Sequence, residues 1–190
     1  MTRSEVQTTF VRLFADAGKR QVVTEDEVLQ AERDLATTLP RSYLGFITTY
    51  GAVWTPSILE LVTGGESEVP PEGASWDVHQ FLAASELVEA ARGYWSGGME
   101  SVLVPVAMDS MGNVFGFRRG KAEPRPDDAP VLFFDHDFCE IHEEAASFDT
   151  WLASFVRLQE GSTEPGAAPN GGLATPAGNS GVPEGPPSVS

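Results

Sequence analysis

The sequence is poor in the residues that staple or charge a protein positively. It has one cysteine, Cys139, so an internal disulfide is excluded and a reducing compartment fits. Lys and Arg number 12 against 28 Asp and Glu, for a formal net charge of −16. Such a surface repels a phosphate backbone, which argues against nonspecific DNA, RNA or anionic-membrane binding and leaves a basic protein partner open. No apolar run approaches the roughly 18 residues that a spanning helix needs. Behind the start, Met1-Thr2-Arg3-Ser4-Glu5, there is no apolar stretch, so no signal peptide is expected. Gly-x-Ser-x-Gly elbows and Walker loops are also missing. What is present is ample: 190 residues at 41% hydrophobic can bury a core without a metal or disulfide.

The chain divides near residue 159. From Gly161 to Ser190 there are seven glycines, six prolines and no lysine or arginine. Such a segment has too little apolar surface to offset its ordering entropy, and residues 160–190 are expected to form a disordered tail. Residues 1–159 then hold 25 acids and 12 bases, so the acidity belongs to the domain itself.

Within that domain the apolar period changes along the chain. Val6, Phe10, Leu13 and Phe14 share one helical face, which predicts a first helix from Ser4 to Ala17 with Gly18 as its stop. Thr24-Glu25-Asp26-Glu27 is a capping box for a second helix, whose inner face is Val28, Ala31 and Leu35. Pro40 can open a third, carrying Tyr43, Phe46, Ile47 and Tyr50. Ser57 to Val62 reads as a short strand and Gly64 to Ser75 as a loop. Ser85 to Tyr94 reads as a helix. Strands are expected over Ser101 to Ala107, Val114 to Arg118, Pro130 to Phe134 and Phe138 to His142. Pro105 suggests an edge or a bulge. Phe148, Trp151, Leu152 and Phe155 define a closing helix capped by Ser147. The fold class is α+β: a single domain with N-terminal helices, a mainly antiparallel sheet and a C-terminal helix.

The densest polar cluster, Asp135 to Glu144, contains every common type of metal-ligating side chain. In one strand His136 and His142 would lie roughly 20 Å apart, at about 3.3 Å per residue. An acidic turn between two strands is therefore the better reading, and no metal, cofactor or catalytic residue is assigned. Cys139 is read as a small buried strand cysteine rather than a nucleophile. Trp76, beside Asp77, is a candidate surface anchor for a partner.

Several segments together resemble one family. Thr24-Glu25-Asp26-Glu27-Val28 with Ala31-Glu32 and Leu35, followed by Leu39-Pro40-Arg41-Ser42-Tyr43 and Phe46, is similar to the N-terminal signature of the SUKH superfamily, Smi/Knr-type. Leu103 to Asp109 with Gly112-Asn113, then Val131 to Asp137, then Ala146 to Leu152, resemble its later elements in the same order. The chain departs from the family where Tyr50-Gly51-Ala52-Val53 replaces a Tyr-Asn-Gly-Gly turn. The resemblance implies a protein-binding domain without catalytic residues, found in bacteria as cytoplasmic immunity proteins that neutralise a cognate toxin. A regulatory or scaffold module is the alternative it offers. The charge suits a basic toxin such as a nuclease. The candidate partner-binding residues are Trp76, Asp77, Asp109, Asp135, Asp137 and Glu140.

Overall fold

Continuous burial along the central apolar runs of the second half of the chain fixes the centre of the molecule. In the computed structural model, which describes residues 1–63 and 77–162, Val131 and Phe133 point into one core cluster, whereas Leu132 and Phe134 point into another. That alternation belongs to a sheet buried on both faces. Among the described residues the elements are α1 (Arg3–Phe14), β1 (Arg20–Gln21), α2 (Glu25–Leu35), α3 (Arg41–Tyr50), β2 (Ala52–Val53), α4 (Ser57–Thr63), β3 (Gln80–Phe81), α5 (Ala84–Ser96), β4 (Leu103–Met108), β5 (Val114–Arg118), β6 (Val131–Asp135), β7 (Glu140–Ala145) and α6 (Phe148–Ser162). Strands β3 to β7 form an antiparallel sheet in sequence order, and β1 pairs with β2 apart from it. The protein is thus α+β, as expected.

The larger core lies where α1, α3 and α6 meet one sheet face. Its centre is aromatic: Phe10, Phe46, Phe81 and Phe148 pack edge to face or tilted, and Trp151 lies 4.7 Å from Phe115. The smaller cluster of Met99, Leu103, Val114, Leu132 and Phe134 is covered by Tyr94 and Trp95 from α5.

Helix α2 begins at the expected capping box: the Glu27 amide donates to Thr24 Oγ1 (3.3 Å), and Glu27 Oε2 accepts from the Thr24 amide (2.8 Å). Helix α1 has a second such box, Thr2 with Glu5, and ends at Phe14 rather than Ala17. The chain leaves the helix early because the Asp16 amide bonds the Trp54 carbonyl (2.8 Å). The segment Ser57 to Val62 corrects the strand expected there. It is α4, with Ile58 and Val62 buried one turn apart. Pro56 presets its entry, and the Ile58 amide bonds the Thr55 carbonyl.

Two glycines are required by their surroundings. Gly51 has φ +77°, and a Cβ there would collide with the Gln21 carbonyl. The single glycine of the altered Tyr50-Gly51 turn is therefore the one that β1 needs. Gly116 pairs with Pro105 beside a bulge between Pro105 and Ala107. Proline is tolerated there because β3 pairs only with Ala107 and Met108 and stops short of it. A Cβ on Gly116 would strike the Val104 carbonyl. Gly116→Ala should cost about 3 kcal/mol of stability, read as a lower urea midpoint at unchanged slope; a loss below about 0.5 kcal/mol would mean that the strands can part freely at this point.

Candidate partner-binding surface

One end of the sheet is organised by two turns. In the β4–β5 turn Asp109 Oδ1 accepts from the amides of Met111 (2.9 Å) and Asn113 (2.7 Å), and Oδ2 from Asn113 Nδ2 (2.7 Å). Gly112 completes the turn at φ +95°. In the β6–β7 turn Asp135 Oδ1 accepts from the amides of Asp137 (2.9 Å) and Phe138 (3.2 Å). Asn113 joins the two: its Oδ1 accepts from the His136 amide (3.0 Å) and lies 2.8 Å from His136 Nδ1. From α5, the Tyr94 hydroxyl donates to the Gly112 carbonyl (2.7 Å). Short polar side chains at both turns thus hold two hairpin tips and a helix in register.

The expected contact residues fall into three groups. Trp76 lies outside the described residues. Asp77 and Asp109 are 1% and 5% exposed, so the expectation that they meet a partner is corrected. Asp77 accepts from the Ser110 amide and hydroxyl, each at 3.2 Å. Burial raises both carboxyls above the ordinary carboxylate range; the Asp109 charge pushes Asp77 further the same way, while the hydrogen bonds to each pull downwards. Asp135 is half-buried and holds its turn, whereas Asp137 and Glu140 are exposed on either side of it.

Cys139 is also corrected. It sits in the turn, exposed, with φ +56°, because four residues are needed to reverse the chain and β7 starts only at Glu140. The two histidines of this segment part company: His136 bonds Asn113, and His142 packs against Phe133 at 5.1 Å. Among the described residues no group of three metal-ligating side chains gathers.

The apolar exposure at this end has little signature in the sequence. Phe138 is 76% and Met111 40% exposed, one on each turn. The only sequence signal was an aromatic residue inside a turn of acids. Beside them runs β7, the outer strand of the described sheet, with Glu140 and Glu143 exposed. None of Asp135, Asp137, Glu140 or Glu143 pairs with a lysine or arginine among the described residues.

The model of the SMI1/KNR4 family (SUKH-1) matches residues 22–154. The chain belongs to this family. SUKH membership is consistent with a non-catalytic, immunity-type role and with a protein as partner. The match takes in both turns and stops within α6. No curated protein matches the chain significantly. Among the described residues no helix is long and apolar enough to cross a membrane.

Proposed function

We propose that this SUKH protein is a cytoplasmic immunity protein that binds a cognate protein toxin one-to-one and neutralises it by covering its working surface. The observation that carries the reading is the end of the sheet where exposed Asp137 and Glu140 flank exposed Phe138, with Met111 on the neighbouring turn, and no lysine or arginine among the described residues pairs with these acids. Unbalanced acids around an apolar patch suit a basic protein surface, and a toxin that attacks nucleic acid must be basic where it grips its substrate. The Gly/Pro-rich stretch after Gly161 favours a second reading, a tethered regulatory or scaffold module without catalysis.

Calorimetry against the product of the adjacent gene, at two salt concentrations and with or without the last thirty residues, separates the two. The immunity reading expects one-to-one nanomolar binding that weakens with salt and abolishes the neighbour's toxicity. A harmless neighbour that does not bind leaves the scaffold reading. In the complex, Asp137→Lys with Glu140→Lys should slow association roughly tenfold or more at low salt, with a smaller change in dissociation. An unchanged association rate would put the contact elsewhere.

A further inference from the structure

A pocket of about 360 Å³ opens between α5 and the β6–β7 turn, lined by Gly93, Tyr94, Gly97, Phe134, His136 and Cys139. It exists because α5 presents glycines where a side chain would otherwise close over Phe134; a Cβ on Gly93 would meet nothing within 4 Å. An apolar cavity of roughly 150 Å³ already holds a benzene-sized group, so this one has room for a phenylalanine or leucine side chain.

The polar walls of the pocket are already committed. Tyr94 spends its hydroxyl proton on the Gly112 carbonyl, and His136 has Nδ1 against Asn113 and Nε2 3.3 Å from Asp137. The rest of the lining is Phe134, Cys139 and, along α5 and its C-cap, Ala90, Gly93 and Gly97, none of which brings a strong hydrogen-bonding side chain. A polar small molecule would lose its water there without regaining hydrogen bonds, whereas an apolar side chain loses nothing. Asp135, Asp137 and Glu140 adjoin the lining residues His136 and Cys139 along the turn, with Asp137 3.3 Å from His136 Nε2, and Phe138 between them is exposed.

We propose that this pocket receives one large apolar side chain of the protein partner, flanked in that partner by lysine or arginine. The inference rests on the immunity reading for the identity of the partner, and names the chemistry of its contact. Charge selects among occupants. A second copy of this chain would bring its own −16 to the same turn, and the residues after Ser162 contain no lysine or arginine.

The test uses the full chain, the adjacent gene product and three variants. Gly93→Leu fills the pocket on a helix that leucine favours over glycine, and Phe138→Ser removes the exposed ring at a turn tip. Val22→Ser, at the exposed Val22 beside β1, is the control. Each of the first two should weaken the complex by tenfold or more, the control should bind as the parent does, and complex formation should protect Cys139 from alkylation. If the neighbour binds both variants as tightly as the parent and leaves Cys139 reactive, the pocket proposal is overturned while the immunity reading stands. If the neighbour does not bind at all, the immunity reading fails, and the pocket is decided by an NMR titration with the peptide Lys-Lys-Phe-Lys-Lys. Amide shifts at residues 93, 94, 134, 136 and 139, absent with Lys-Lys-Ser-Lys-Lys and in Gly93→Leu, would support it; no shifts, or shifts elsewhere, would overturn it.

Discussion

Arg125→Ala is expected to lower the unfolding free energy by about 3 kcal/mol, more than most substitutions on a loop. Arg125 lies in the connection between β5 and β6, yet it grips a buried acid. Its Nη1 donates to Glu32 Oε1 (2.5 Å) and to the Leu39 carbonyl (2.5 Å), and its Nη2 to Glu32 Oε2 (2.9 Å). The Glu32 side chain is 6% exposed. Its only other donor among the described residues is the Leu39 amide, at 2.6 Å. Without the guanidinium, Glu32 stays buried with one amide for company, and the desolvation of its charge is uncompensated. Glu32→Leu combined with Arg125→Met should cost less than Arg125→Ala alone, because no charge is then stranded. Urea unfolding of the two variants checks the order. If the double variant is the less stable, the pair contributes more than its own desolvation cost.

Asp128→Ala should cost about 2 kcal/mol at neutral pH. One carboxylate serves the starts of two helices: Oδ1 accepts from Ser42 Oγ in α3 (2.7 Å) and the Phe148 amide of α6 (3.0 Å), and Oδ2 from the Asp149 amide (3.4 Å). Its own turn adds the Ala129 amide at 2.9 Å. Burial by itself raises the Asp128 carboxyl, but these four donors outweigh it and hold the group below the ordinary carboxylate value. A depressed folded-state value means that the stabilisation is complete above the unfolded value and fades as pH falls through the folded one. The gap between parent and Asp128→Ala should thus be flat near neutrality and narrow below about pH 4. Asp77 and Asp109 act with the opposite sign. Their raised values mean that the folded state takes up protons more readily than the unfolded chain, so acid relieves a cost there. A gap that widens on acidification would show that Asp128 is held by burial rather than by its donors.

The elements legible in the sequence are those whose signal is local. Thr24 to Glu27 announced α2, Pro40 preceded α3, and the period of Phe148, Trp151, Leu152 and Phe155 announced α6. Strands β4 to β6 were readable because they are continuous apolar runs. By contrast, β1, β2 and β3 are two residues each, too short to show a period. Ser57 to Val62 misled because Ile58, Leu59, Leu61 and Val62 fit a strand or a buried helix equally. The candidate surface was half legible. Acids in a turn can be read from sequence, but not which of them the turn consumes. Asp109 and Asp135 both look like free charges, and both are bound to the amides two and more residues ahead, a pairing set by backbone geometry. The pocket was invisible, since its walls come from α5, β6 and a turn far apart in sequence.

Several positive side chains of this protein are tied to internal partners. Arg119, Lys121 and Arg125 all donate to carbonyls at or just past the end of α2, those of Leu35, Glu32, Thr37 and Leu39, and Arg119 also stacks on Trp95. Arg3 is spent on Asp149 and Asp127. With Arg20 on the Thr49 carbonyl and Arg33 on Gln30, at least six of the twelve cations make internal bonds, but each keeps its charge, so the far field of the molecule is that of its net −16. Two copies approaching through their Phe138 ends meet mutual repulsion before their apolar residues can touch. Screening by salt removes that barrier, so the same patch that invites a basic partner is guarded against its own kind only while the ionic atmosphere is thin.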